Sequence, residues 1–140
     1  FSRGGIPPFR SSLVSWQVGP FNSTLPRFLA KRAVVANVSF VHVDCDLYSS
    51  ASLVLRLLAP YLAPGAILAF DDLINYPGWR LGEVRALDEL LFLTGRTAQP
   101  VSTAAMAVLP DDADLAKLFA HYGEGLSQKL FAQQAAFRLL

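Results

Sequence analysis

One stretch limits what this chain can fold into more than any other. Ser39 to Glu89 reads SFVHVDCDLYSS, then ASLVLRLLAPYLAPG, then AILAFDDLINYPGWRLGEVRALDE. Phe40–Val43 is β-rich and apolar except for His42, and Ala66–Phe70 is a second short apolar run. Runs of this length, apolar on both faces, predict parallel strands covered on both sides. Between them Leu53, Leu57, Leu58, Tyr61 and Leu62 recur at helical spacing. Ser49 or Ser50 is the expected N-cap, and Pro64-Gly65 the expected stop. The stretch therefore predicts a β-α-β unit with a right-handed crossover.

Both strands end in acidic residues. Asp44 and Asp46 follow the first, and Asp71 and Asp72 follow the second. Adjacent parallel strands lie roughly 4.8 Å apart, so carboxylates leaving the same edge converge. Ligands of open α/β sheets bind at that edge. Converging carboxylates repel each other unless a proton or a cation intervenes. All-oxygen ligation favours a hard divalent ion such as Mg²⁺, with Ca²⁺ or Mn²⁺ as alternatives. The competing reading is that each aspartate merely caps a turn or a helix after its strand. Tyr76 and Trp79 follow on a loop marked by Asn75, Pro77 and Gly78. They form a candidate substrate wall, or else fold back onto the core.

The flanks are less informative. With 140 residues the chain holds one domain or less. Net charge is +1, charged residues are 16% and no basic cluster stands out, which argues against a nucleic-acid surface. Hydrophobic residues reach 53% and mean hydropathy +0.37. Yet the most apolar stretch, Ala51–Phe70, is broken by Arg56, Pro60, Pro64 and Gly65, whereas a bilayer span needs about 20 largely apolar residues. With no visible signal peptide or span, the cytoplasm is the favoured compartment. The single Cys45 excludes an intrachain disulfide. Phe1 rather than Met opens the sequence, which predicts a preceding N-terminal portion. Leu13–Val18 reads as a strand, Asn22 to Thr24 as caps of a short helix carrying Leu25, Phe28 and Leu29, and Gly95 as the end of a helix begun at Arg80 or Leu81. In that helix Glu83 occupies the first turn, where negative charge suits the dipole, and Val84, Leu87, Leu90 and Leu91 form the apolar face. Gln99–Leu109 reads as two short strands. Asp111, Asp112 and Asp114 read as a capping context, and Leu115 to the C-terminus as an amphipathic helix with His121 isolated on it. The sequons Asn22-Ser-Thr and Asn37-Val-Ser are read as chance.

VHVDCDLYSS, a following helix, PGAILAFDD, YPGW and GE-R-AL together resemble the C-terminal half of the macrocin O-methyltransferase-like family. Its members are class I S-adenosylmethionine-dependent enzymes that methylate hydroxyls, with antibiotic sugars as the known type of substrate. VGPFNSTLPRFL upstream resembles that family's Gly-x-Phe-x-x-Thr-Leu-Pro segment, so the likeness spans roughly Leu13–Leu91. The resemblance implies that Asp44, Asp71 and Asp72 ligate Mg²⁺ and that Asp46 is the general base. It also implies an α/β fold: the C-terminal part of a Rossmann-like class I methyltransferase sheet, in the order 3-2-1-4-5-7-6. Residues 1–140 would hold strand 3 (Leu13–Val18) and strands 4 to 7, with strands 1 and 2 missing. The glycine-rich cofactor loop and the acidic residue for the ribose hydroxyls have no counterpart here. The expectation is thus a partial methyltransferase domain lacking its S-adenosylmethionine-binding half. It should expose the edge of strand 4, bind cofactor weakly or not at all, and act on a small-molecule hydroxyl only with a chain, or a homo-oligomer, that completes it. Two alternatives stand beside this one. A degenerate half could serve as a non-catalytic packing module. Asp44-x-Asp46 also resembles the first motif of haloacid-dehalogenase-type phosphatases, although Tyr48 stands where that motif has Thr or Val. Too few residues separate Asp46 from Asp71 for the remaining phosphatase motifs.

Overall fold

The computed structural model describes Phe9 and residues 11–31, 37–103 and 133–140. The chain divides into two compact units, Phe1–Val35 and Ala36–Leu140. In the first, helix α1 spans Phe21–Lys31. Its expected caps behave otherwise: the hydroxyls of Ser23 and Thr24 both donate to the Pro20 carbonyl, at 3.0 and 2.9 Å. The strand expected over Leu13–Val18 is not formed. Ser11 captures its first donors instead, the hydroxyl accepting from Leu13 N–H at 3.2 Å and the carbonyl from Val14 N–H at 3.2 Å. That makes a turn, and no described strand pairs with the residues that follow. An extended segment without ladder partners has nothing to hold it.

The second unit contains β1 (Val38–Val43), α2 (Tyr48–Leu58), β2 (Leu62–Phe70), α3 (Glu83–Thr94), β3 (Ala98–Thr103) and β4 (Ala135–Leu139), with short 3₁₀ turns at Ala59–Tyr61 and Trp79–Leu81. The sheet order is β1-β2-β4-β3. β1 and β2 are parallel, with Val41 opposite Leu68 and Val43 opposite Phe70. β4 is antiparallel to both β2 and β3. The β-α-β unit thus forms, but β1, expected to be covered on both sides, is an edge of the described sheet, as is β3; within it only Val43 is fully buried and Phe40 is 60% exposed.

Alternation along the strands sets the core. Val43, Leu68, Phe70, Ala135 and Leu139 are buried and join Leu55 of α2 and Leu90 of α3 in one cluster. Phe70 and Phe137 meet edge to face, with centroids 6.5 Å apart. Each fully buried leucine contributes roughly 1.5–3 kcal/mol. Pro60 has no N–H to continue a helix, so α2 gives way there to the 3₁₀ turn. Pro64 and Gly65 therefore do not stop it. They lie inside β2 opposite a register shift in β1, and Gly65 takes φ 77°, which suits a glycine at an irregular pairing. Ser49 and Ser50 do not cap α2; Leu47 holds that position without a side-chain bond. The buried stripe of α2 is Ala51, Ser52 and Leu55, with Leu53, Leu57 and Leu58 only half-buried.

Ala135–Leu139, expected as helix, is a strand. Pairing on both sides, with β2 and β3, outweighs its helical propensity. Asp111, Asp112, Asp114, His121 and the second strand expected up to Leu109 lie outside the described residues. Among the described residues no helix is long and apolar enough to cross a membrane.

Candidate acidic site

β1 and β2 run in parallel, so their carboxyl ends share an edge. The Asp71 N–H donates to the Val43 carbonyl at 3.0 Å, carrying the pairing one step past both strands. From there the chain leaves β1 through Asp44, Cys45 and Asp46, and leaves β2 through Asp71 and Asp72. Asp46 has φ 57°, a left-handed conformation that aspartate tolerates better than most residues. It is the centre of a three-residue turn closed by Leu47 N–H donating to the Cys45 carbonyl at 2.6 Å. That reversal starts α2 at once and keeps the Asp46 carboxylate near the strand ends.

Carboxylate oxygens of Asp44, Asp46 and Asp72 all lie within 4.8 Å of one another. Asp44 and Asp46 are exposed and Asp72 is half-buried. Asp71 is not part of this trio, and its Oδ1 accepts from Gln134 Nε2 at 3.3 Å. The four aspartates expected to act together are thus split, three in one cluster and one toward the start of β4. Burial pushes the Asp72 carboxyl up to about 6. A hydrogen bond with Asp46 and the charges of Asp71, Asp46 and Asp44 add to this. A set of hard oxygen donors strained by mutual repulsion fits a hard divalent cation.

Behind the cluster lies Glu83, in the first turn of α3 and fully buried. Its Oε1 accepts the Cys45 N–H at 3.3 Å, and its Oε2 has no partner among the described residues. Burial pushes this carboxyl up to about 7, opposed by the backbone N–H groups of Cys45 and Asp72 and reinforced by the charges of Asp72 and Asp44. A helix N-terminus supplies about 0.3–1 kcal/mol to an acidic group, whereas burial can move a carboxyl by several pKa units. Burial wins, so the dipole reading of Glu83 misses its main feature. Burial and the Glu83 charge likewise raise the Cys45 thiol to about 11, so it is no nucleophile near neutral pH.

Trp79 is buried in the core, with the Arg80 guanidinium 4.2 Å from its ring centre and its Nε1 unpartnered among the described residues. Tyr76 is half-buried and packs against the same core. Its hydroxyl lies over Gly82, at the start of α3, where any side chain would collide with it. Of the two aromatics, only Tyr76 retains partial exposure next to this corner of the sheet.

A second carboxylate centre lies between α2 and α3. Glu89 accepts from Tyr48 Oη at 2.6 Å, Ser52 Oγ at 3.0 Å and Arg85 Nε at 3.1 Å. The Arg85 guanidinium also stacks 4.4 Å above the Tyr48 ring. These bonds, the Tyr48 hydroxyl first, pull the Glu89 carboxyl below its usual range. The neighbouring hollow, about 420 Å³ and lined by Arg56, Asp88, Glu89, Phe92 and Leu93, is open to solvent.

No protein-family model and no curated protein matches the chain. Its structure is similar to the apo structure of CalS11, a TDP-rhamnose 3'-O-methyltransferase and an enzyme in calicheamicin biosynthesis. Sequence identity is 25% and the TM-score 0.51, over 86% of this chain and 39% of that one. The chain therefore spans well under half the length of the protein it matches. The four-stranded mixed sheet, flanked by helices and ending in an acidic corner, is a partial Rossmann-like domain similar to a methyltransferase fold.

Proposed function

We propose that this chain is the acceptor-side part of an S-adenosylmethionine-dependent O-methyltransferase of the macrocin O-methyltransferase-like type, acting on a hydroxyl of a sugar or similar small molecule. The observation that carries this reading is the convergence of Asp44, Asp46 and Asp72 at the carboxyl edge of β1 and β2, in a sheet similar to that of an O-methyltransferase. Asp44 and Asp72 would hold Mg²⁺, with Asp71 joining them if it releases Gln134. Asp46 then accepts the proton of the acceptor hydroxyl on its carboxylate. When bound, Mg²⁺ makes that hydroxyl easier to deprotonate, and S-adenosylmethionine supplies the methyl group. Tyr76 forms part of the rim that orients the acceptor, and correct placement of the two reactants supplies most of the rate. No described element provides a glycine-rich cofactor loop, so the cofactor-binding half comes from further sequence or from a partner chain.

The test is calorimetric titration of the purified chain with Mg²⁺ and S-adenosylmethionine. Mg²⁺ binding that is lost in Asp44→Asn, together with weak or absent cofactor binding, is expected. Micromolar cofactor affinity would overturn the division of labour. Silence toward Mg²⁺ would favour the second reading, a non-catalytic packing module.

A further inference from the structure

The carboxylate of Glu83 is the one fully buried acidic group in the described core, and one of its oxygens has no partner there. An unpartnered buried carboxylate oxygen costs stability, and an apolar side chain of similar shape would fill the same space more cheaply. Its one close bond goes to the backbone N–H of Cys45, the residue between Asp44 and Asp46. The orientation of the Cys45 peptide governs where both neighbouring carboxylates point. The backbone N–H of Asp72, at the other strand exit, also lies near enough to favour the ionised form of Glu83. Glu83 is anchored on α3, and that helix is fixed by Ala86, Leu87 and Leu90 in the core.

We propose that Glu83 is a positioning residue, a clamp from the rigid first turn of α3 that holds the Asp44–Asp46 loop at the spacing a divalent cation needs. The inference rests on the cation reading of the acidic corner and adds a residue outside the carboxylate cluster. Partners that orient metal ligands typically account for about 10–100-fold in metal affinity.

The experiment compares the wild-type chain with Glu83→Met, which keeps the bulk and removes the acceptor, and Glu83→Gln, which keeps one acceptor without the charge. Mn²⁺ binding is followed by electron paramagnetic resonance, and the protection of individual amides by hydrogen exchange. In Glu83→Met the expected results are Mn²⁺ affinity weaker by about tenfold or more, a folded core, and loss of protection at the Cys45 amide while the amides of α3 and β2 stay protected. Glu83→Gln should restore most of the affinity. Unchanged Mn²⁺ affinity and a protected Cys45 amide in Glu83→Met would overturn the clamp. So would a Glu83→Gln variant as weak as Glu83→Met, since charge rather than the hydrogen bond would then matter. If the wild-type chain and Asp44→Asn both ignore Mn²⁺, the cation reading fails. The Cys45 amide then decides the clamp alone: protection lost in Glu83→Met upholds it, and protection retained overturns it.

Discussion

Two carboxylate centres flank α2, and they are opposites. Glu89 is surrounded by donors: a phenol, a serine hydroxyl and a guanidinium. Its acidity rises accordingly. Asp44, Asp46, Asp72 and Glu83 are surrounded by one another, and among the described residues no lysine or arginine forms an ion pair with any of them. The carboxyls of Asp72 and Glu83 resist ionisation. The first centre is complete as it stands and ties two helices together. The second is a group of acceptors without enough donors. Perturbed carboxyls gathered in this way mark a candidate site for a cation.

The contrast can be broken by experiment. Its sharpest test is Asp44→Asn or Asp72→Asn: each should weaken Mn²⁺ binding by about 100-fold or more, beyond what an orienting partner accounts for. Each should also leave the apo chain at least as resistant to heat, because a like charge has gone. Next comes pH. Asp72 rises from 3.8 to about 6 and Glu83 from 4.5 to about 7 on folding. The folded chain therefore holds extra protons across that window, and stability must fall as pH rises through it and level off above about 7. A thermal melt of the apo chain should show Tm lower at pH 8 than at pH 5, on the order of 5 °C, and Mg²⁺ should recover the difference at pH 8. An apo Tm that rises over this range would mean the acidic corner is not in deficit.

At the other centre, Tyr48→Phe removes the shortest bond to Glu89. Tm should fall by roughly 2–4 °C while Mn²⁺ affinity stays as it was; a loss of affinity would show that the two centres are linked through α2. The smallest effect belongs to Arg85→Ala. Its side chain is 52% exposed and its ion pair with Glu89 is an i,i+4 pair on one helix, so Tm should move by no more than about 1 °C. A larger drop would mean that stacking on Tyr48 matters more than the charge.

The β-α-β unit and its acidic exits were legible because the apolar runs fix where each strand ends, and Asp44 and Asp71 follow at once. Other features depended on partners the local sequence does not reveal. Ala135–Leu139 has a helical composition and becomes a strand only because β2 and β3 lie on either side of it. Leu13–Val18 has a strand-like composition and no partner among the described strands. The split of Asp71 from Asp72 depends on Gln134, far away in sequence. Glu83 did carry a signal: it shares helical spacing with Ala86, Leu87 and Leu90, the stripe that proves to be buried. Reading the face as Val84, Leu87, Leu90 and Leu91 turned it by about one residue and left Glu83 off it. Trp79 lies in the core, as its apolar area demands, rather than on a wall over the site.

The order β1-β2-β4-β3 has a consequence for how the sheet is assembled. β1 and β2 are joined by one short crossover and can pair early, whereas β3 pairs with neither of them, only with β4. β4 is the last described strand to leave the ribosome, and it must insert between two strands made before it. Until it does, β2 carries an open edge on the side away from β1 and β3 has no ladder at all. Pairing between strands so far apart in sequence is slow. The nascent chain therefore spends its most vulnerable interval with its central strand unprotected, and cutting it just before Ala135 should leave a β-α-β unit that aggregates rather than a smaller folded domain.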